Sequence, residues 1–118
     1  MDLAVKLQLK PGQSVAVVNA PGDAALEFAD HPVCERPTEA DAVIVYAPNR
    51  AALEDRLDTF VPHASRDALT WVAYPKAGQL GTDLNRDILA ELVRRHQVRP
   101  VRQVSLDDVW SALRLRPA

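Results

Sequence analysis

The stretch LTWVAYPKAGQLGTDLNRD, residues 69–87, decides the fold. Its first six residues form an apolar run that predicts a buried strand, and Pro75 and Lys76 follow directly. A helix is predicted from Thr82 to about Gln97, because apolar residues recur there every three or four positions. These residues are Leu84, Ile88, Leu89, Leu92 and Val93. The stretch therefore predicts a strand, a crossover and a helix.

Two further apolar runs lie upstream, VAVV at residues 15–18 and AVIVYA at residues 42–47. No polar residue interrupts either run, which is typical of parallel strands that are covered on both faces. Strands of this kind alternate with helices in sheets built from right-handed crossovers. We therefore predict an α/β fold with a minimal, doubly wound and mostly parallel sheet, and helices on both of its faces.

The segments between these strands predict the remaining helices. Residues 22–30 favour a short helix, and residues 33–35 favour a brief edge strand. After the second strand, Asn49 is suited to cap a helix with a clear amphipathic period. We expect Pro62 to end that helix, because proline lacks the N–H that helix propagation requires.

The C-terminal segment differs from the earlier strands. Leu113 and Leu115 alternate with Arg114 and Arg116, which predicts a strand with one buried face and one exposed face. This pattern favours an antiparallel hairpin that reverses at Asp107 and Asp108. The alternative is a helix that begins at Ser105, since the spacing of Ser105 and Asp108 imitates a capping box.

Composition limits the classes of protein to consider. The chain has 118 residues, of which 47% are apolar and 25% charged, so it is expected to form one globular domain over residues 1–118. The net charge is −2 and the isoelectric point about 5.9, which argues against a nucleic-acid partner. The sequence contains no run of 18 or more apolar residues, so no membrane span is predicted. We expect a cytoplasmic protein.

The cysteine and histidine content argues against a metal site. Cys34 is the single cysteine, so no internal disulfide can form, and its apolar neighbour Val33 favours a buried structural thiol. His31, His63 and His96 are far apart in the sequence and form no metal-binding motif. We expect neither a metal nor a cofactor.

Several motifs resemble known families. The segment LKPGQSV at residues 9–15, followed by a strand and Pro21-Gly22, resembles the opening of the S-adenosylmethionine-dependent methyltransferase fold, a Rossmann-like fold. The order of strand, helix and antiparallel hairpin after residue 69 resembles the end of that fold. The blocks WVAYPK, TDLNRD and PVRQVSLDDVWSALRLRP are similar to those of a family of short, uncharacterised bacterial proteins. The second resemblance covers most of the chain and implies no activity.

The chain departs from the methyltransferase pattern where the cofactor would bind. That family has an acidic residue in the first strand and a glycine-rich turn after it, which lets the backbone approach the cofactor. The corresponding positions here are Val17, Asn19 and Pro21, and only Gly22 is retained. We therefore expect no catalytic residue and no methyl transfer.

Four residues are candidates for ligand binding at the carboxyl edge of the sheet: Asn19, Gly22, Asn49 and Lys76. Together they would suit a nucleotide-like or anionic small molecule. Turn and capping roles are the alternative for both asparagines. The alternative for Lys76 is a solvated side chain that pairs with Asp83 or Asp87.

Two features of the hairpin also have competing interpretations. Trp110 either covers the edge of the core or anchors a partner, as aromatic residues do at interfaces. Arg99, Arg102, Arg114 and Arg116 either bind an anionic partner or keep an edge strand from pairing with other chains. We expect a non-catalytic binding or interaction module, whose partner is a protein, a second copy of the chain or a small molecule.

Overall fold

Strands and helices alternate along the part of the chain that the structure describes. The structure is a computed structural model, and it describes residues 6–19, 36, 39–76 and 79–118. The strands are β1 (Val15–Val18), β2 (Ala42–Tyr46), β3 (Leu69–Pro75), β4 (Val98–Ser105) and β5 (Trp110–Pro117). The helices are α1 (Arg50–Asp55), α2 (Leu57–Ser65) and α3 (Arg86–Arg94), with a short 3-10 helix at Gln79–Gly81. The elements predicted at residues 22–30 and 33–35 lie outside the described residues.

The five strands form one mixed sheet in the order β1-β2-β3-β5-β4. β1, β2 and β3 are parallel, whereas β5 is antiparallel to both β3 and β4. The prediction of a mostly parallel sheet was therefore wrong. The reason is that β4 and β5, at eight residues each, are the longest of these strands, and β5 pairs along most of β3.

The C-terminal segment forms the predicted hairpin, and the alternative helix from Ser105 is wrong. Asp107 stabilises the reversal, because its Oδ1 accepts hydrogen bonds of 2.7 Å from the backbone amides of Val109 and Trp110. A register shift between Pro100 and Arg102 interrupts the pairing of β4 with β5. The shift forms a bulge in a strand at the edge of this sheet, where bulges are common.

The sheet separates two hydrophobic clusters. One face, called the helix face here, buries Val43, Val45, Val72, Leu113 and Leu115 against the helices. The helices contribute Leu53, Phe60, Leu89 and Val93. The opposite face buries Ile44, Tyr46, Trp71 and Ala73 with Leu7 and Leu9. All three α-helices among the described residues therefore contribute to the cluster on the helix face.

The helices differ in detail from the predictions. Arg56 separates α1 from α2, and Pro62 lies inside α2 instead of ending it. The helix continues because Phe60, His63 and Ala64 are buried, which offsets the hydrogen bond that proline removes. None of the described helices combines the length and apolar character needed to cross a bilayer.

α3 begins four residues later than predicted. Asn85 caps it, because its Oδ1 accepts a 2.9 Å hydrogen bond from the amide of Ile88. The hydroxyl of Thr82 instead accepts from the amide of Leu84 at 3.0 Å, within the preceding loop. The local hydrogen bonds of Thr82 and Asn85 thus set where the helix starts.

Candidate functional site

Three of the four predicted ligand-binding residues follow the parallel strands at one edge of the sheet. Asn19 comes after β1, Asn49 after β2 and Lys76 after β3. Neighbouring strands lie about 4.8 Å apart, so the order β1-β2-β3 places these residues along a single edge. The fourth candidate, Gly22, lies outside the described residues.

Asn19 links the ends of two strands. Its backbone is in the left-handed region, with φ of 60°, which asparagine tolerates better than most residues. Its Nδ2 donates a 3.0 Å hydrogen bond to the carbonyl of Tyr46 at the end of β2. The side chain therefore joins the end of β1 to the end of β2.

Asn49 is the N-cap of α1. Its Oδ1 accepts a 2.8 Å hydrogen bond from the amide of Ala52. The next amide, that of Arg50, donates to Oδ1 of Asp83 at 2.8 Å. Two of the free N–H groups at the start of α1 are thus satisfied by protein side chains.

Lys76 joins β3 to the hairpin. Its amide donates to the carbonyl of Val109 at 2.7 Å, and its Nζ donates to Oγ of Ser105 at 2.8 Å. Neither carboxylate suggested by the sequence pairs with it: Asp83 accepts from Arg50, and Asp87 lies 3.4 Å from Nε of Arg86. The side chain is half-buried, and its hydrogen bond to Ser105 fixes its orientation.

A cavity of about 540 Å³ lies beside Lys76. β3, the start of α3 and the hairpin enclose it. Its lining residues are Tyr74, Lys76, Asn85, Arg86, Asp87, Gln103 and Ser111. The register pairs Tyr74 with Ser111, which explains how strands distant in sequence meet at this cavity.

The hydroxyl of Tyr74 is held within the wall of the cavity. Nε2 of Gln103 donates to it at 3.0 Å, and burial raises the pKa of the phenol above its usual value. The positive charge of Arg86 and a hydrogen bond with Ser111 oppose that shift. The phenol is therefore protonated at neutral pH and cannot serve as a base.

The charges in the cavity favour a small anion. Lys76 and Arg86 are cationic, and Asp87 carries the single carboxylate among the described lining residues. The pair between Arg86 and Asp87 is largely exposed, so water screens it and Arg86 can turn toward a ligand. Amide and hydroxyl groups of Gln103 and Ser111 could supplement the two cations.

Most residues of this cavity could not be predicted from the sequence. Arg86 comes from α3, whereas Gln103 and Ser111 come from the hairpin, and the pairing of β5 with both β3 and β4 brings these two hairpin residues to the side of Tyr74. The one usable signal was Tyr74, since a tyrosine at the end of a buried strand usually has a hydrogen-bond partner for its hydroxyl. Its partner could not be identified without the pairing of the strands.

Trp110 is largely buried, with 8% of its surface exposed. Its ring contacts that of Tyr46 in a T-shaped arrangement, with centroids 5.1 Å apart. Aromatic pairs prefer such edge-to-face geometry. Most of the tryptophan surface is thus occupied by packing on the face opposite the helices.

His63 is also buried, with 1% of its surface exposed, and both of its ring nitrogens contact polar groups of the protein. Its Nε2 donates to the carbonyl of Ala40 at 3.0 Å, and its Nδ1 lies 2.8 Å from the hydroxyl of Thr70. Burial is the main reason that its pKa lies below 6.5. Among the residues that the structure describes, no three His, Cys, Asp or Glu side chains form a metal-binding group.

Comparisons with known proteins support the fold. The sequence matches no protein-family model and no curated protein. A crystal structure of ribosomal protein L11 methylase from Lactobacillus delbrueckii subsp. bulgaricus is similar, with a TM-score of 0.55 and 12% sequence identity. The match covers 98% of this chain and 75% of that one. The chain is therefore an α/β protein whose fold is similar to that of this methylase, and no activity follows from the similarity.

Proposed function

We propose that this protein is a non-catalytic binding module that retains a methyltransferase-like fold without its chemistry. The main support is the hydrogen bonding at the carboxyl edge. Asn19, Asn49 and Lys76 all make hydrogen bonds within the protein, to Tyr46, Ala52 and Ser105. Polar groups that stabilise turns, caps and loops are not free to bind a cofactor unless those contacts break.

The chemistry of the neighbouring cavity supports the same proposal. Neither histidine nor cysteine is among its described lining residues, and Tyr74 keeps its proton. A catalytic base or nucleophile requires a group whose pKa suits proton transfer near neutral pH. The sequence agrees, because Val17, Asn19 and Pro21 replace the acidic residue and the glycine-rich turn of methyltransferases. The resemblance to short bacterial proteins of uncharacterised function fits the same interpretation.

The proposal is tested by incubating the full chain with S-adenosylmethionine. We expect no S-adenosylhomocysteine to form above the buffer background over several hours. We also expect the melting temperature to stay within experimental error at millimolar S-adenosylmethionine. Turnover that rises with protein concentration would contradict the proposal, as would stoichiometric cofactor that copurifies with the protein.

A second candidate function is the binding of an anionic small molecule in the 540 Å³ cavity. Lys76 and Arg86 on its wall favour it, together with the amide of Gln103 and the hydroxyl of Ser111. Adenosine diphosphate and inorganic pyrophosphate are suitable probes, since both carry adjacent phosphates that two cations can bind.

The test for this candidate compares two lysine variants in a thermal shift assay. If the cavity binds phosphate, either probe raises the melting temperature of the wild-type protein, and Lys76→Ala abolishes the increase. Lys10→Ala is the matched control, because Lys10 is exposed and lines a different cavity. Equal shifts in all three proteins would exclude the cavity as the binding site.

A further inference from the structure

The register of the hairpin places four arginines on one face. Arg99 is directly opposite Arg116, and Arg102 is directly opposite Arg114. Opposite residues of an antiparallel pair share a face of the sheet. Leu113 and Leu115 are buried on the helix face, so the alternating residues Arg114 and Arg116 lie on the other face. The four residues form what is called the arginine face here.

This arrangement is unfavourable within the isolated protein. Like charges that are directly opposite in a sheet repel, and the hairpin contains two such pairs next to each other. Asp67 offsets one charge, since both of its oxygens accept hydrogen bonds of 2.8 Å from Arg116. Arg114 donates to the neutral side chain of Gln8, and its buried Nε has no partner. The described carboxylates thus compensate only part of the charge.

Arg99 and Arg102 are the unpaired members of the arginine face. Both are exposed, and neither makes an ion pair within the described residues. The protein as a whole has a net charge of −2, so this is a local concentration of positive charge and not a general property of the surface. Local charge of one sign on such a protein selects a partner of the opposite sign.

We propose that the arginine face binds an acidic, extended segment of a partner protein; this inference rests on the proposed function as a binding module. The unpaired Arg99 and Arg102 lie opposite Arg116 and Arg114, which are two residues apart on β5, so their positions on the sheet are spaced by about 6.8 Å. In an extended segment, acidic residues at every second position have the same spacing. Each carboxylate can then accept two parallel hydrogen bonds from the guanidinium group of Arg99 or Arg102, which makes no ion pair within the described residues.

Other modes of binding fit this hairpin less well. Addition of a strand at the edge of β4 is opposed by Pro100 and by the bulge before Arg102, both of which protect sheet edges. Single-stranded nucleic acid usually stacks on exposed aromatic rings, and Trp110 is buried. The exposed large apolar residues of the described chain are Leu80 and Val101, neither of them aromatic.

The proposal is tested with a fluorescein-labelled ten-residue peptide of alternating glutamate and serine, measured by fluorescence anisotropy at low salt. The peptide should bind the full-length protein, and the double variant Arg99→Gln/Arg102→Gln should weaken binding at least tenfold. The double variant Arg94→Gln/Arg95→Gln removes equal charge from the C-terminal end of α3 and its C-cap, and it should change binding less than twofold. A peptide with glutamine in place of glutamate should not bind.

If these arginines had only a structural role, their replacement would lower the melting temperature. We expect the opposite. The double variant Arg99→Gln/Arg102→Gln should fold and melt at the same or a higher temperature, because it removes repulsion between like charges. In the wild-type protein, peptide should shift the amide resonances of β4 and β5 more than those of α3.

Equal peptide binding by both double variants would overturn the proposal, as would absence of binding at millimolar concentration. Tighter, arginine-dependent binding of a ten-residue polyadenylate would also overturn it, by assigning the face to nucleic acid. None of these outcomes bears on methyl transfer, which the S-adenosylmethionine assay tests separately.

Discussion

Nζ of Lys76 donates a 2.8 Å hydrogen bond to Oγ of Ser105, and this contact fastens the end of β3 to the end of β4. The amide of the same lysine donates to the carbonyl of Val109 in the hairpin turn. Lys76 therefore holds the hairpin beside the parallel strands. This contact uses one of the three donors of its ammonium group.

Ser105→Ala should lower the free energy of unfolding by about 0.5–1 kcal/mol, because an exposed hydrogen bond contributes at the low end of the usual range. Urea denaturation measures the change. In a double-mutant cycle with Lys76→Ala, the double variant should lose less stability than the sum of the two single variants. Strict additivity would show that the contact contributes nothing.

Asn49→Ala and Asn85→Ala should each destabilise the protein by about 1 kcal/mol, because each removes the N-cap of a helix. Asn49→Asp and Asn85→Asp should retain most of the stability, since aspartate accepts the same backbone hydrogen bond. If the alanine variants melted at the wild-type temperature, the capping roles assigned to these two residues would be wrong.

Stability should fall as the pH drops below about 6.5, because of His63. Its pKa is lowered in the folded protein by burial, so the unfolded chain takes up a proton at higher pH than the folded chain does. The contribution of His63 is therefore complete above pH 6.5 and is lost as the pH falls toward the folded pKa. Chemical denaturation between pH 5 and pH 8 measures it.

The control for this pH dependence uses the exposed histidine. His63→Gln should flatten the change of stability between pH 5 and pH 7, although it lowers stability overall. His96→Gln should keep the wild-type pH dependence, because His96 is exposed in the turn that follows α3. Identical pH profiles for all three proteins would contradict the role of His63.

Trp71→Phe should destabilise the protein by about 1–2 kcal/mol. The indole Nε1 donates a buried 2.9 Å hydrogen bond to the carbonyl of Leu7, and phenylalanine would leave that carbonyl without a partner. Hydrogen exchange should show greater opening of residues 6–9 than of β2 in this variant. Unchanged exchange at residues 6–9 would mean that the hydrogen bond does not fasten the N-terminal segment to the sheet.

The strands were predictable from sequence because buried parallel strands are continuously apolar, as in VAVV, AVIVYA and LTWVAY. The alternation of leucine and arginine at residues 113–116 likewise indicated the hairpin. The position of β5 between β3 and β4 was not predictable, because it depends on long-range pairing such as that of Tyr74 with Ser111. The start of α3 was missed because Thr82 and Asn85 are both good capping residues.

For the candidate site too, local sequence patterns predicted some features, and long-range contacts determined the others. The sequence placed Asn19, Asn49 and Lys76 at one edge correctly, since each follows a parallel strand. It could not show which hydrogen bonds those side chains make. Nor could it identify Gln103 or Arg86 as neighbours of Tyr74, because nothing local in the sequence relates them.

We propose that the side chains of Asn19, Asn49 and Lys76 are held by hydrogen bonds within the protein and do not bind a cofactor. Titration of the ¹⁵N-labelled full chain with S-adenosylmethionine tests it most directly, with the amide resonances of Asn19, Asn49 and Lys76 as reporters. We expect these resonances to keep their positions at millimolar S-adenosylmethionine. Saturable shifts of all three at micromolar concentration would contradict the account.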